Sequence, residues 1–129
     1  MKKFLSLAVL LISLSTIAMA QKAKVTSATA AADKNYTVLN AKESIVIYKY
    51  LHPGHSPKEA EKYTPKYFFT TGASDVLQEL TRSNLKKAFP ANHPFHDALD
   101  ATFKDEKELI SYDDFHKMYK VNWLLKQHS

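Results

Sequence analysis

KYFFTTGASDVLQELTRSNLKKAF, residues 66–89, holds the local chemistry from which the fold is read. Its first six residues are aromatic or β-branched for the most part, types that suit a pleated surface, so a strand is expected over 66–71. Gly72-Ala73-Ser74-Asp75 is turn chemistry, with Gly72 able to take positive φ, and 76–80 returns as the partner strand. Thr81 stands where a helix N-cap belongs, with Leu80 before it and Leu85 four positions after it. That spacing is a hydrophobic staple, which sets the angle at which the chain enters a helix beginning at Arg82. Pro90 stops this helix, and Leu85, Ala88 and Phe89 form its inward face.

Working outward toward the C-terminus, Asn92 or His93 caps a second short helix with Pro94 in its first turn and Phe95, Ala98 and Leu99 pointing inward. Phe103 is expected to plug the core from the loop that follows. Asp105 with Glu108 three residues on reads as a capping box for a longer third helix. Along it Leu109, Tyr112, Phe115, Tyr119 and Trp123 recur at helical spacing, an aromatic stripe assigned to the core. Asp113 and Lys117 fall on its solvent side as an i,i+4 pair.

Toward the N-terminus, 44–51 (SIVIYKYL) is a strand buried on both faces at its start and alternating from Tyr48 onward. Tyr36-Thr37-Val38-Leu39 is a further short candidate, ended by Asn40. His52-Pro53-Gly54-His55-Ser56-Pro57 is a loop, because Pro-Gly punctuates and Pro57 blocks continuation. One or two helical turns can follow over 57–63. Residues 21–35 are rich in Ala, Thr and Lys with one large apolar residue, Val25, and are expected to be a flexible leader; a short helix over 29–32 is the alternative.

The first twenty residues read as a secretory signal peptide. Lys2 and Lys3 precede an apolar core over 4–14, and Ala18-Met19-Ala20 is a small-x-small cleavage site, placing the cut between Ala20 and Gln21. The apolar run is shorter than the ~20 residues a membrane span needs. Removing it from the 129 residues leaves 109, one ordinary domain, and lowers the formal charge from +5 to +3 as the two lysines leave. The chain has no cysteine. That excludes a disulfide framework, a thiol nucleophile, Cys-based zinc sites and a lipid anchor through an N-terminal cysteine. The charge is too mild to argue for nucleic acid.

The expected architecture is therefore one α+β domain over 36–129, after a signal peptide over 1–20 and the leader over 21–35. A small antiparallel sheet of about three strands (44–51, 66–71 and 76–80) packs under three C-terminal helices. The succession Leu80-Thr81-Arg82-Ser83-Asn84-Leu85-Lys86-Lys87, an Asp- and Lys-rich loop and then Glu108-Leu109-Ile110-Ser111-Tyr112 resembles small uncharacterised secreted proteins of Bacteroidota type. The likeness covers roughly 66–125. It implies export and a small α+β unit, and it carries no known activity to transfer.

Two features point to chemistry. His52-Pro53-Gly54-His55 and His93-Pro94-Phe95-His96 share the pattern His-Pro-x-His, and neutral imidazoles bind zinc and related divalent metals. If the two segments met, His52, His55, His93 and His96 would supply four ligands, with Asp100, one helical turn from His96, and His116 as further contributors. The same histidines also serve as ordinary caps and loop residues. The second feature is tyrosines beside cations: Tyr48, Tyr50, Tyr63 and Tyr67 could stack on a carbohydrate or envelope polymer, or pack against the helices instead.

Catalytic signals are weak. The chain has no Gly-x-Ser-x-Gly elbow, no His-Glu-x-x-His and only two glycines. Asp113 with His116, and Asp97 with Asp100, are the available acid–base pairs. The reading that follows is an exported, periplasmic or extracellular protein without enzymatic activity that binds or assembles with an envelope component, with metal binding or metal-dependent catalysis as the alternative.

Overall fold

The structure, a computed structural model, describes residues 24–53 and 64–129. The expected signal peptide, the cleavage pair Ala20 and Gln21, the helical turns over 57–63, and the candidates His55 and Tyr63 lie outside the described residues.

Four strands, β1 (Tyr36–Val38), β2 (Ile45–Tyr50), β3 (Lys66–Thr71) and β4 (Ser74–Glu79), form an antiparallel sheet in the order β1-β2-β3-β4. The domain is α+β as expected, with four strands in this sheet rather than three. The added strand is the short run at 36–38, which pairs Tyr36 with Tyr50 and Val38 with Tyr48. Between β2 and β3 the register sets Ile47 opposite Phe69 and Tyr48 opposite Phe68. Because strand side chains alternate, Ile45, Ile47 and Phe69 share one face, and Tyr48, Tyr50, Phe68 and Thr70 share the other. Gly72 and Ala73 make the two-residue β3–β4 turn, but Gly72 is not at positive φ, so the freedom assigned to it is unused.

The first face carries the main core. Leu80, Leu85, Phe95, Leu99, Phe103, Leu109, Val121 and Leu125 close over Ile45, Ile47 and Phe69. Burying each such side chain is worth about 1.5–3 kcal/mol, and that dominates the fold's stability. Helix α2 (Arg82–Ala88) starts as its chemistry dictates: the Thr81 hydroxyl accepts from Asn84 N, and the staple residues Leu80 and Leu85 are both buried. For α3 (His93–Thr102) the cap is Asn92, whose side chain accepts from Phe95 N at 3.2 Å. Phe103, just beyond its end, is buried as the expected plug.

The long third helix is not formed. After a 3₁₀ turn over Glu106–Ile110 the chain makes a ribbon of β5 (Tyr112–Asp113) and β6 (Met118–Tyr119), and only then α4 (Lys120–Gln127). The Asp113 carboxylate is the cause: Oδ1 accepts from both Phe115 N and His116 N, at 3.0 and 3.1 Å, offering those amides a turn in place of helical carbonyls. Lys117 at φ 57 then completes a reversal no helix can contain. The aromatic stripe is thereby dispersed, and Asp113 pairs with His116 instead of Lys117.

Within residues 24–35 the structure has the short helix that was the alternative to a flexible leader, beginning two residues earlier than the expected 29–32. Helix α1 (Ser27–Ala32), capped by Thr26, contacts both edge strands, β1 and β4, and so crosses the second face of the sheet. Ala30 is buried there, as are Tyr48 and Thr70. Val25 accepts from Leu77 N at 2.7 Å and Thr26 bridges Val76, which occupies the otherwise open edge of β4.

A polar clamp joins the last helix to the sheet. Strand β1 is too short to reach Ile45, and side chains take its place. Asn122 accepts from Ile45 N (2.8 Å) and donates to Ile45 O (2.9 Å) and to Glu43 Oε2 (2.6 Å). Asn40 donates to the same two acceptors and accepts from Ile47 N. Among the described residues no buried side-chain nitrogen or oxygen lacks a partner. No helix among them is long and apolar enough to cross a membrane.

Candidate functional site

Aromatic side chains gather on the ribbon 112–119 and the first turns of α4. Tyr112 and Tyr119, directly opposite in the register, meet edge to face with ring centres 5.2 Å apart. His116 lies flat on Trp123, with centres 3.5 Å apart and planes 16° from parallel. Its Nδ1 is 2.6 Å from Asp113 Oδ2, and that bond is the main reason the Asp113 carboxyl sits below the usual carboxylate range, with the backbone donors adding to it. Asp113 thus fixes the loop through its backbone amides and fixes the imidazole through its other oxygen. Burial beside Glu43 raises the Tyr119 phenol above its ordinary value, so this ring is neutral at physiological pH.

Phe115 stands out from this pinned frame. It is 87% exposed, its ring edge against His116 at 4.9 Å, while Tyr112 beside it is 47% exposed. An apolar ring held in water on an ordered loop is the kind of exposure that marks interaction sites. The sequence reading placed Phe115 and Tyr112 in the core; the signal to the contrary was Asp113-Asp114, a turn-forming pair in the middle of the supposed helix.

The described tyrosines nominated as ligand contacts, Tyr48, Tyr50 and Tyr67, do not form one surface. Tyr48 is buried and accepts from Thr70 Oγ1 at 3.4 Å. Tyr50 is half-buried on the same face against Tyr36, with centres 4.7 Å apart, and burial followed by the charges of Tyr50 and Asp33 raises the Tyr36 phenol. Tyr67 lies on the opposite face, packed against the main core.

Among the described residues the metal candidates do not gather into one site either. His96 Nε2 donates to Phe89 O at 2.7 Å, satisfying a carbonyl at the end of α2, and His93 meets it edge to face at 5.6 Å. Asp100 is paired with Lys86 (2.6 Å) and Arg82 (3.8 Å), and the Lys86 hydrogen bond is first among the causes that lower its carboxyl. His116 is held by Asp113. His52 borders a groove with Tyr50, Thr64 and Lys66. Among the described residues no three His, Asp or Glu side chains converge as a metal ion requires.

Compared with family descriptions, with curated proteins and with solved structures, the chain finds no match.

Proposed function

We propose that the protein is exported and acts without catalysing a reaction, binding or assembling with a component of the cell envelope through the ribbon 112–119. One observation carries this reading: Phe115 is 87% exposed on a loop that Asp113 and the His116–Trp123 stack hold in place. Rigid display of an apolar ring lowers the ordering cost of binding, which raises affinity without enlarging the contact. The signal-like first twenty residues support export, with Lys2 and Lys3 ahead of the apolar run and Ala18-Met19-Ala20 at its end.

The test is co-sedimentation with the cell envelope fraction, comparing the wild-type protein with Phe115→Ala. Retention of the wild type and release of the variant is the expected result. Equal behaviour of the two, or no retention of either, would overturn the proposal.

A further inference from the structure

What the ribbon 112–119 can bind is limited by the groups around its exposed ring. Phe115 is 87% exposed, so its faces are open to solvent, and Tyr112, three residues back, is 47% exposed. Asp114 and Lys117 flank Phe115 in the loop. Both are exposed, and among the described residues neither has an ion-pair partner. Over 112–120 the carboxylates of Asp113 and Asp114 stand against the ammonium groups of Lys117 and Lys120, so neither sign is in excess.

Three classes of partner fit this surface poorly. A polyanion is held by clustered cations, and here two carboxylates oppose it. A bilayer taking in Phe115 would draw the charges of Asp114 and Lys117 toward hydrocarbon, a cost that one ring does not offset. Among the described residues of the ribbon and α4, Tyr112 and Phe115 are the exposed large apolar side chains. They offer roughly 200–350 Å² of surface, against the ~800 Å² per partner of a stable protein interface. A neutral saccharide meets all three conditions. Its C–H groups carry partial positive charge and stack on the negative face of an aromatic ring, a contact one ring in size. Its hydroxyls both donate and accept, so a carboxylate and an ammonium side by side can each bond one.

We infer that the envelope component bound by the ribbon is an uncharged polysaccharide. One sugar unit stacks on Phe115, its hydroxyls donate to Asp114 and accept from Lys117, and Tyr112 meets a neighbouring unit. This rests on the reading of the ribbon as the binding element and names the class of its ligand.

The experiment uses the protein as isolated from its own cells. Neutral polysaccharide is extracted from the envelope, freed of protein and lipid, depleted of anionic polymers by anion exchange and cast into a native gel. Wild-type protein should be retarded in a saturable manner, and rising salt should leave the retardation unchanged. Phe115→Ala and Phe115→Leu should each weaken binding by roughly 5- to 150-fold, the range that stacking on one ring carries. Phe115→Tyr, which keeps the ring, should bind like the wild type. Leucine retains apolar bulk without a ring face, so the pair separates stacking from plain burial. The position is exposed, so all three variants keep the fold, and an unchanged melting temperature verifies it.

A wild type that runs unretarded, a Phe115→Leu protein that binds like the wild type, a Phe115→Tyr protein as weak as Phe115→Leu, or binding that salt abolishes would each overturn the inference. Phe115-dependent retention on the envelope fraction without retardation by the polysaccharide would overturn this inference alone and leave the ribbon's binding role standing. Loss of both would remove the two together.

Discussion

Replacing Asn122 with alanine should unfold this protein far more readily than the loss of one small polar side chain suggests. Asn122 is 5% exposed, and its amide serves the Ile45 peptide on both sides, N–H at 2.8 Å and C=O at 2.9 Å. Asn40 also reaches Ile45 O and Glu43, so those two acceptors keep a partner in the variant. Ile45 N–H has no substitute acceptor among the described residues, because β1 begins its pairing with β2 only at Val38 and Tyr48. Leaving a buried donor unmet costs about 1–3 kcal/mol, and the two weakened bonds add roughly 1 kcal/mol, giving a loss of about 2–4 kcal/mol. That is a large share of the ~5–15 kcal/mol typical of a whole domain. Urea unfolding followed by circular dichroism and by Trp123 fluorescence measures it. With an m-value near ~1.3 kcal/mol/M the midpoint should fall by roughly 1.5–3 M at unchanged slope. Asn122→Leu, which keeps the volume, should lose about as much, separating hydrogen bonding from packing. Asn122→Asp retains the acceptor for Ile45 N–H but places a second carboxylate against Glu43, so it should be destabilised at pH 7 and partly relieved on acidification. A loss below ~0.5 kcal/mol in both Asn122→Ala and Asn122→Leu would refute the clamp, since surface substitutions of no structural consequence fall within that range.

Gly72→Ala should raise stability by about 0.4–1 kcal/mol, because the turn does not use positive φ and a Cβ there meets nothing within 4 Å; thermal melting checks it. Ala30→Glu should lower the melting temperature sharply, since it forces a charge into the buried contact between α1 and the sheet, whereas the exposed Ala31→Glu should not. The Asp113 carboxyl is lowered in the folded state, so its contribution to stability is complete above the ordinary carboxylate range near ~3.9 and disappears as pH falls through the lower folded value. Near-UV circular dichroism of Trp123 should report this loosening of the ribbon on acidification, and Asp113→Asn should show a weakened Trp123 signal already at pH 7.

Much of the fold was legible because short-range chemistry decides it. The Thr81 cap and the Leu80–Leu85 staple locate α2 from ten residues of sequence, and Pro94 with Phe95 and Leu99 does the same for α3. What stayed hidden depended on partners distant in the chain. Residues 24–35 hold no apolar run; they are ordered because the second face of the sheet, carrying Tyr48 and Thr70, needs cover and a small residue such as Ala30 can approach it closely. The ribbon was misread for a different reason: Leu109, Tyr112, Phe115, Tyr119 and Trp123 do keep helical spacing, yet one aspartate captures two backbone amides and outweighs the pattern. The candidate site is the least legible part, since helical spacing assigns Phe115 to the core and the structure exposes it.

Trp123, the one tryptophan of the chain, sits a single imidazole away from Phe115, the ring we propose is displayed for binding. Titrating the protein with solubilised envelope fraction while following Trp123 emission tests that claim directly. The account predicts a saturable change for the wild type and none for Phe115→Ala, whose melting temperature stays within about a degree because an exposed ring contributes little to the fold. A wild type that shows no change, or a Phe115→Ala protein that titrates like it, would contradict the account.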